Sequence, residues 1–261
     1  MNGVSKTRYI PLFGKAWMSR RQILLCDPKA EEIWEKEGFP LKGKAKSKWL
    51  AYYMGIRAAV FDTWLAEQME RMPNAVILHI GCGMDSRICR VGARDHLWYD
   101  VDFPDVIEER RTYYTESASY HMIGADAREE GWLETIPGGS AIVVLEGFSM
   151  YLTGDALRNL LASVTAHFLP VRVLVDCYTV FAAKASQYKN PVNEVGVTQL
   201  YGIDDPRELE EGTRLHYLEE QPLTPEKLIA QIPEPDRAFF KTVFANAMGK
   251  KIYRLFEYET G

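Results

Sequence analysis

The sequence predicts an α/β protein in which a mostly parallel sheet carries helices on both faces beneath an N-terminal helical cover. Three observations predict it. Residues 1–72 carry helix-start signals and helical spacing, with no strand pattern. From residue 73 onward, short apolar runs that stop at glycines or acids alternate with helical stretches, the order of a parallel sheet covered on both sides. No internal repeat or low-complexity linker divides the 261 residues, so the expectation is a single domain, 1–261, with cover 1–72 and core 73–261.

Each element has its own warrant. Asp27-Pro28 opens a helix with a capping acid and a proline at the first helical position. Ser47 opens a longer helix that ends near Met72, before Pro73. On it Leu50, Tyr53, Met54, Phe61, Trp64 and Leu65 recur at spacings of three and four. Residues 75–80, 96–101, 120–124 and 140–145 read as the first four strands. A helix from about 153 to 168 and a fifth strand at 171–178 follow. Residues 238–244 and 251–258 resemble a closing pair of strands. The stretch 184–222, rich in Asp, Glu, Gly, Asn and Pro, reads as long loops or a lid-like insertion.

Composition excludes several classes. With 26% charged and 47% hydrophobic residues the chain has an ordinary globular make-up. Its net charge of −5 argues against general nucleic-acid or membrane-surface binding, both of which reward positive charge. No run approaches the ~18 apolar residues of a membrane span, and early Lys and Arg residues break any signal-peptide core. Four cysteines without paired spacing suit a reducing cytoplasm. The five histidines are scattered, so no metal site is expected. The charge is uneven: residues 1–75 hold 13 basic and 8 acidic side chains, and residues 76–261 hold 18 and 28. Most of the basic excess, Lys42, Lys44, Lys46 and Lys48 included, reads as solvated helix surface.

Apart from Arg57, the chemistry-bearing motifs end strands, where open α/β sheets bind ligands. Gly81-Cys82-Gly83-Met84-Asp85-Ser86-Arg87 follows the first. Its glycines allow close backbone approach, though a tight turn alone explains them, and Ser86 stands where a dinucleotide fingerprint has its third glycine. Asp85 suits a helix N-cap. Cys82 could expose its thiol, but nothing nearby marks it as a nucleophile. Asp100 and Asp102 end the second strand about 20 residues beyond Gly81, the spacing at which an acid holds ribose hydroxyls; the bland alternative is an acid favoured by a helix dipole. Asp126, after the third strand, could accept from an adenine amino group or simply be a turn acid. Glu146 follows four apolar residues and needs a cationic or hydrogen-bonding partner, which a buried Arg could also supply. Arg57 lies on the apolar stripe of the long helix. Unless it snorkels to solvent, it requires an anion from elsewhere in the chain or from a ligand carboxylate. His79 reads as a satisfied core residue, and His167 as a helix C-terminal cation.

In order and spacing these residues resemble the leucine carboxyl methyltransferase superfamily. Within it, they are most similar to the bacterial branch named for tetracenomycin polyketide O-methylation. Gly-x-Gly-x-Asp-x-Arg with Asp-x-Asp-x-Pro carries the likeness. Arg57…Phe61-Asp62, Ala125-Asp126-Ala127-Arg128 and Glu146-Gly147…Met150-Tyr151-Leu152 extend it, so that it runs from about residue 10 to the end. The resemblance implies a Rossmann-like, seven-stranded methyltransferase fold and S-adenosylmethionine as cofactor. It further implies that Arg57 and Lys15 bind the methionine carboxylate, and that Gly81 and Gly83 pack on the methionine portion. Asp102 would hold the ribose, with Asp100 as second choice; Asp126, with Ala127 beside it, would meet the adenine, and Glu146 the ammonium. The reaction expected is methyl transfer to an oxygen of a small molecule, a carboxylate or a hydroxyl. A hydroxyl would need a base; Tyr151, Asp176, Tyr178 and His216 are the candidates, but none is marked as a base by its sequence context, which favours a carboxylate or an acidic hydroxyl as acceptor. A non-catalytic S-adenosylmethionine binder and a nicotinamide-dependent oxidoreductase are the rival readings.

Overall fold

The computed structural model describes residues 6–186, 193, 197, 199–246 and 249–261. The cover begins with α1 (Tyr9–Ser19), α2 (Pro28–Glu37) and α3 (Lys48–Arg71). The start signals act as expected. The Asp27 carboxylate accepts from Ala30 N at 2.9 Å and Pro28 follows it; the Ser47 hydroxyl accepts from Leu50 N at 3.2 Å. Gly38 ends α2 in the left-handed conformation (φ 56°) that side chains with a Cβ disfavour. α3 is buried on more than one side: Phe61, Leu65 and Met69 join the α1–α2–sheet core, while Tyr52 and Ile56 pack in a second cluster with Met18 and Phe240.

The sheet has seven strands: β1 (Val76–Ile80), β2 (Trp98–Asp102), β3 (Tyr120–Gly124), β4 (Gly139–Leu145), β5 (Phe168–Tyr178), β6 (Leu215–Gln221) and β7 (Tyr253–Thr260). Their order is β3-β2-β1-β4-β5-β7-β6. The first five strands pair in parallel. β7 pairs antiparallel with both β5 and β6, so the sheet is mixed.

Two expectations change here. Residues 238–244 are no strand; they lie in a helix, Asp236–Phe244. Phe240 turns inward against Tyr52, with ring centroids 6.2 Å apart, and Phe239 covers Trp49 at 4.3 Å. The strand that flanks β7 is β6, inside the stretch read as loops or lid. Of that stretch, residues 187–192, 194–196 and 198 lie outside the described residues. The shorter helices between strands include α4 (Arg87–Val91), α5 (Pro104–Arg110) and α6 (Gly154–His167).

Alternation along the strands splits the core. Ile77, Trp98, Ile142, Val144 and Leu174 face the cover. Leu78, Val101, Val143, Leu145 and Val173 face Leu157, Leu160, Leu161 and Val164 of α6. The strand order reverses between β1 and β4, and such a switch point opens a crevice at the carboxyl ends of the strands. Among the described residues no helix is long and apolar enough to cross a membrane.

Candidate functional site

At those carboxyl ends lies a cleft of about 570 Å³, within the range of small-molecule sites. Its floor is the turn after β1. Gly81 has φ 71° and Gly83 φ 51°, conformations costly for a residue with a Cβ. Gly81 N donates to Val101 O at 2.8 Å, which holds the turn against β2. A Cβ on Gly81 would run into the Phe148 ring, and one on Gly83 would come 3.1 Å from the Arg8 side chain. The glycines therefore admit both a close-lying ligand and the cover above it.

One pole of the cleft is a network of buried charge. Arg57 donates from Nε to Glu146 Oε1 at 3.1 Å and from Nη1 to the Tyr253 hydroxyl at 3.3 Å. The same Nη1 is 3.3 Å from Asp176 Oδ2. The other oxygen of Glu146 accepts from Arg87. Lys15 pairs with Asp85 at 3.0 Å. Asp85 is no helix cap: Ser86 precedes α4, and the Asp85 carboxylate also meets Arg90 at 2.9 Å and Arg87 at 3.3 Å. Burial works against charge on Glu146, yet Arg87, Arg57 and Lys15 outweigh it and hold the carboxyl at about 2. Burial also pushes Asp176 up, to about 6, because Arg57 offsets it only in part and Glu146 adds repulsion.

The strand-end acids divide by depth. Asp102 is part-exposed in the cleft; its oxygens accept from Gly83 N and Phe103 N, each at 2.7 Å. Two further acceptor positions remain on the carboxylate. Burial raises its carboxyl above the ordinary value despite those donors. Asp100, the second choice for a ribose, does not reach the cleft. One pleat deeper, it is fully buried and spent on Arg110, Tyr120, Trp98 and His79. The His79 tautomer follows: Arg87 donates to Nε2 at 3.1 Å, so Nδ1 carries the hydrogen that points at Asp100. Asp126 and Ala127 line the far end. The Asp126 carboxylate is clasped by its neighbour Arg128, first through side-chain hydrogen bonds, which lowers its pKa.

The structure thus brings Lys15, Arg57, Gly81, Gly83, Asp102, Asp126, Ala127 and Glu146 to one cleft, and Tyr151 and Tyr178 to its wall. It leaves out Asp100, as above, and His216, which sits on the edge strand β6 beside Gly261. Cys82 is buried, not exposed, and burial pushes its thiol well up. Sequence reasoning assigned no role to Arg87, although the Gly-x-Gly-x-Asp-x-Arg spacing contains it. It missed Tyr253, whose signal is only an aromatic at the start of the last strand.

The residues present fit S-adenosylmethionine. The glycine turn is open to a ligand, a carboxylate with spare acceptor positions ends β2, and charges of both signs face a zwitterion at one pole. Among the described residues no cluster of His, Cys, Asp or Glu is placed to hold a metal ion.

Comparison with known proteins identifies the family. A family model described as leucine carboxyl methyltransferase matches residues 13–165. The tetracenomycin polyketide synthesis O-methyltransferase of Streptomyces glaucescens is 33% identical over 213 residues, covering 80% of this chain and 79% of that one. An S-adenosyl-L-methionine-dependent methyltransferase of Gibberella zeae is 32% identical over 185 residues, 64% of this chain and 61% of its own. Among solved structures, the magnesium protoporphyrin IX methyltransferase of Synechocystis with bound SAH shares the fold, with a TM-score of 0.54 at 10% identity over 88% of this chain and 93% of that one.

Proposed function

This chain belongs to the leucine carboxyl methyltransferase family and is an S-adenosylmethionine-dependent methyltransferase; from that premise we propose that it methylates an oxygen of a small aromatic or polyketide-like molecule. The observation that carries the reading is the polarity of the cleft. One pole holds Arg57, Lys15 and Glu146, and beside it the wall is built from Tyr53, Tyr151, Tyr178, Phe244 and Tyr253, the last taking a hydrogen bond from Arg57. A flat aromatic acceptor matches such a wall, because offset and edge-on ring contacts add to simple burial.

In this reading Arg57 and Lys15 bind the carboxylate of the amino-acid end and Glu146 its ammonium. Arg57 and Glu146 pair with each other, and a zwitterion would insert its two charges between them. Gly81 and Gly83 lie under the ligand, Asp102 takes the ribose hydroxyls, and Asp126 with Ala127 meets the base. When bound, the cofactor supplies an electrophilic methyl group on a sulfonium. The protein's own contribution is alignment and exclusion of water, the main source of acceleration for such a displacement. Helix α1 and Arg8 cover the glycine turn, and the aromatic wall orients the acceptor. The chain works here as one domain: residues 1–72 supply Lys15 and Arg57, and residues 73–261 supply the rest.

A nicotinamide dinucleotide suits this cleft poorly. Where its pyrophosphate would meet a helix N-terminus, the Ser86 hydroxyl is held by Asp27 at 2.6 Å, with Asp85 alongside. The test is transfer of a labelled methyl group to a panel of phenols, hydroxyquinones and aromatic carboxylates, with calorimetry against S-adenosylmethionine and NAD. Turnover of at least one aromatic acceptor is expected, with no measurable NAD binding. Turnover confined to aliphatic or macromolecular acceptors would overturn the acceptor class.

A further inference from the structure

The mouth of the cleft has an apolar rim that the cofactor reading leaves unused. Among the described residues the exposed large apolar side chains are Leu169, Phe181, Leu218, Phe239, Val243 and Ile252. Single exposed apolar residues are ordinary, but three of these adjoin one another. Val243 and Ile252 line the cleft and are still 43% and 40% exposed, which puts them at its edge. Each is the chain neighbour of a wall residue, Phe244 and Tyr253 respectively. Phe239 lies one turn before Val243 on the same face of the helix Asp236–Phe244. It is 48% exposed, and its other side rests on Trp49. Ile252, Val243 and Phe239 therefore form a strip that starts in the cleft and runs out of it.

The strip is anchored from behind. Phe240 is fully buried and stacks on Phe244, with ring centroids 5.2 Å apart, and the Phe244 ring is 6.3 Å from that of Tyr53. Ile252 O accepts from Thr179 N at 3.1 Å, which ties the rim to the end of β5. The helix's charges are taken up at its sides, Asp236 by Lys48 at 2.9 Å and Lys241 by Glu226 at 2.6 Å. A stable protein partner needs about 20–30 residues a side, far more than this strip offers. What fits it is continuous with whatever fills the cleft.

We propose that the acceptor is longer than the cleft: its oxygen enters, and an apolar arm leaves through the mouth and lies along Ile252, Val243 and Phe239. The inference rests on the reading of the cleft as a small-molecule O-methyltransferase site, and it holds for a carboxylate and a hydroxyl alike. Val243 and Phe239 are four helical residues apart, about 6 Å, so the arm meets Val243 first and Phe239 later. A methylene fully removed from water is worth about fourfold in affinity. A strip that covers one side of the arm gives about half that free energy, or roughly twofold per methylene.

The experiment uses two acceptor series, 4-alkylbenzoates and 4-alkylphenols with methyl, butyl and hexyl arms. Affinity is measured by calorimetry with S-adenosylhomocysteine present, and turnover with S-adenosylmethionine is followed in parallel. In at least one series wild type should bind the butyl member ~8-fold more tightly than the methyl member, three methylenes at about twofold each, and the hexyl member more tightly again. Val243→Ser should remove most of the gain from methyl to butyl. Phe239→Ser should spare that gain and remove the one from butyl to hexyl. Leu169→Ser, at the opposite end of β5, should change neither, and S-adenosylmethionine affinity should stay within twofold in all three variants. Turnover of the methyl members with affinity flat or falling along both series would overturn the arm and leave the reaction class intact. A wild-type dimer that Phe239→Ser dissociates, with the dependence on arm length unchanged, would overturn it too, by making the strip a contact between copies. No binding and no turnover of any member would overturn both readings.

Discussion

A guanidinium at position 57, on a helix buried around much of its circumference, is stable because three acceptors from separate segments converge on it: Glu146, Asp176 and Tyr253. Removing it has two consequences. Arg57→Ala should weaken S-adenosylmethionine binding ~10-fold or more, the scale of a charge-assisted hydrogen bond, as measured by calorimetry. It should also cost about 3–5 kcal/mol of stability, because two buried carboxylates lose their cation. Unchanged affinity in a folded variant would remove Arg57 from the cofactor site. Position 57 was legible in the sequence because a cation on an apolar stripe has to find an anion. Asp102 and Glu146 were legible because acids at strand ends fall at the mouth of the crevice. The choice between Asp100 and Asp102 was harder to make, since residues two apart share one face of a strand and differ only in depth. Tyr253 was invisible because its role arises from pairing with a strand far away in sequence.

Two helix starts, alike in sequence, differ in what else their caps hold. Ser47 caps α3 and does little more, so Ser47→Ala should cost about 1 kcal/mol. Asp27 caps α2 and also takes the Ser86 hydroxyl at 2.6 Å and Arg90 Nη1 at 2.7 Å, almost wholly buried. Asp27→Ala should therefore cost about 3 kcal/mol, since a buried cation and a hydroxyl lose their acceptor. Urea unfolding of the two variants separates them, and equal costs would mean the Asp27 contacts add nothing to the cap. The same scale accounts for the misread elements. The segment 238–244 is rich in aromatic and β-branched residues, a strand-like composition, yet Phe239, Phe240, Val243 and Phe244 recur at helical spacing. β6 hides because it is an edge strand. Only Leu215 is buried along it, so its alternation is faint and its glutamates read as loop.

Across the whole molecule the buried carboxylates pull in opposite directions with pH. Glu146 lies at about 2 when folded against an ordinary 4.5, and Asp85 and Asp100 also lie low, held by their cations against burial. Groups lowered in this way stabilise the fold above their ordinary values, and that stability is lost as pH falls through the folded values. Asp176 has the opposite sign: raised from 3.8 to about 6, it makes the fold less stable as pH rises through that interval. Stability should therefore collapse between about pH 4.5 and 2, and Asp176→Asn should flatten a shallow decline between about 4 and 6. Thermal melts across pH check both, and a decline unchanged in the variant would contradict the Asp176 environment. The roof of the cleft has a consequence in time. Arg8 reaches Glu109, 101 residues ahead, and Asp27 reaches Ser86, 59 ahead. At 5–20 residues per second, a ribosome delivers those partners roughly 3–20 s later. The cover is thus made before the residues that latch it, and the cleft assembles only once the strands that end at it have followed.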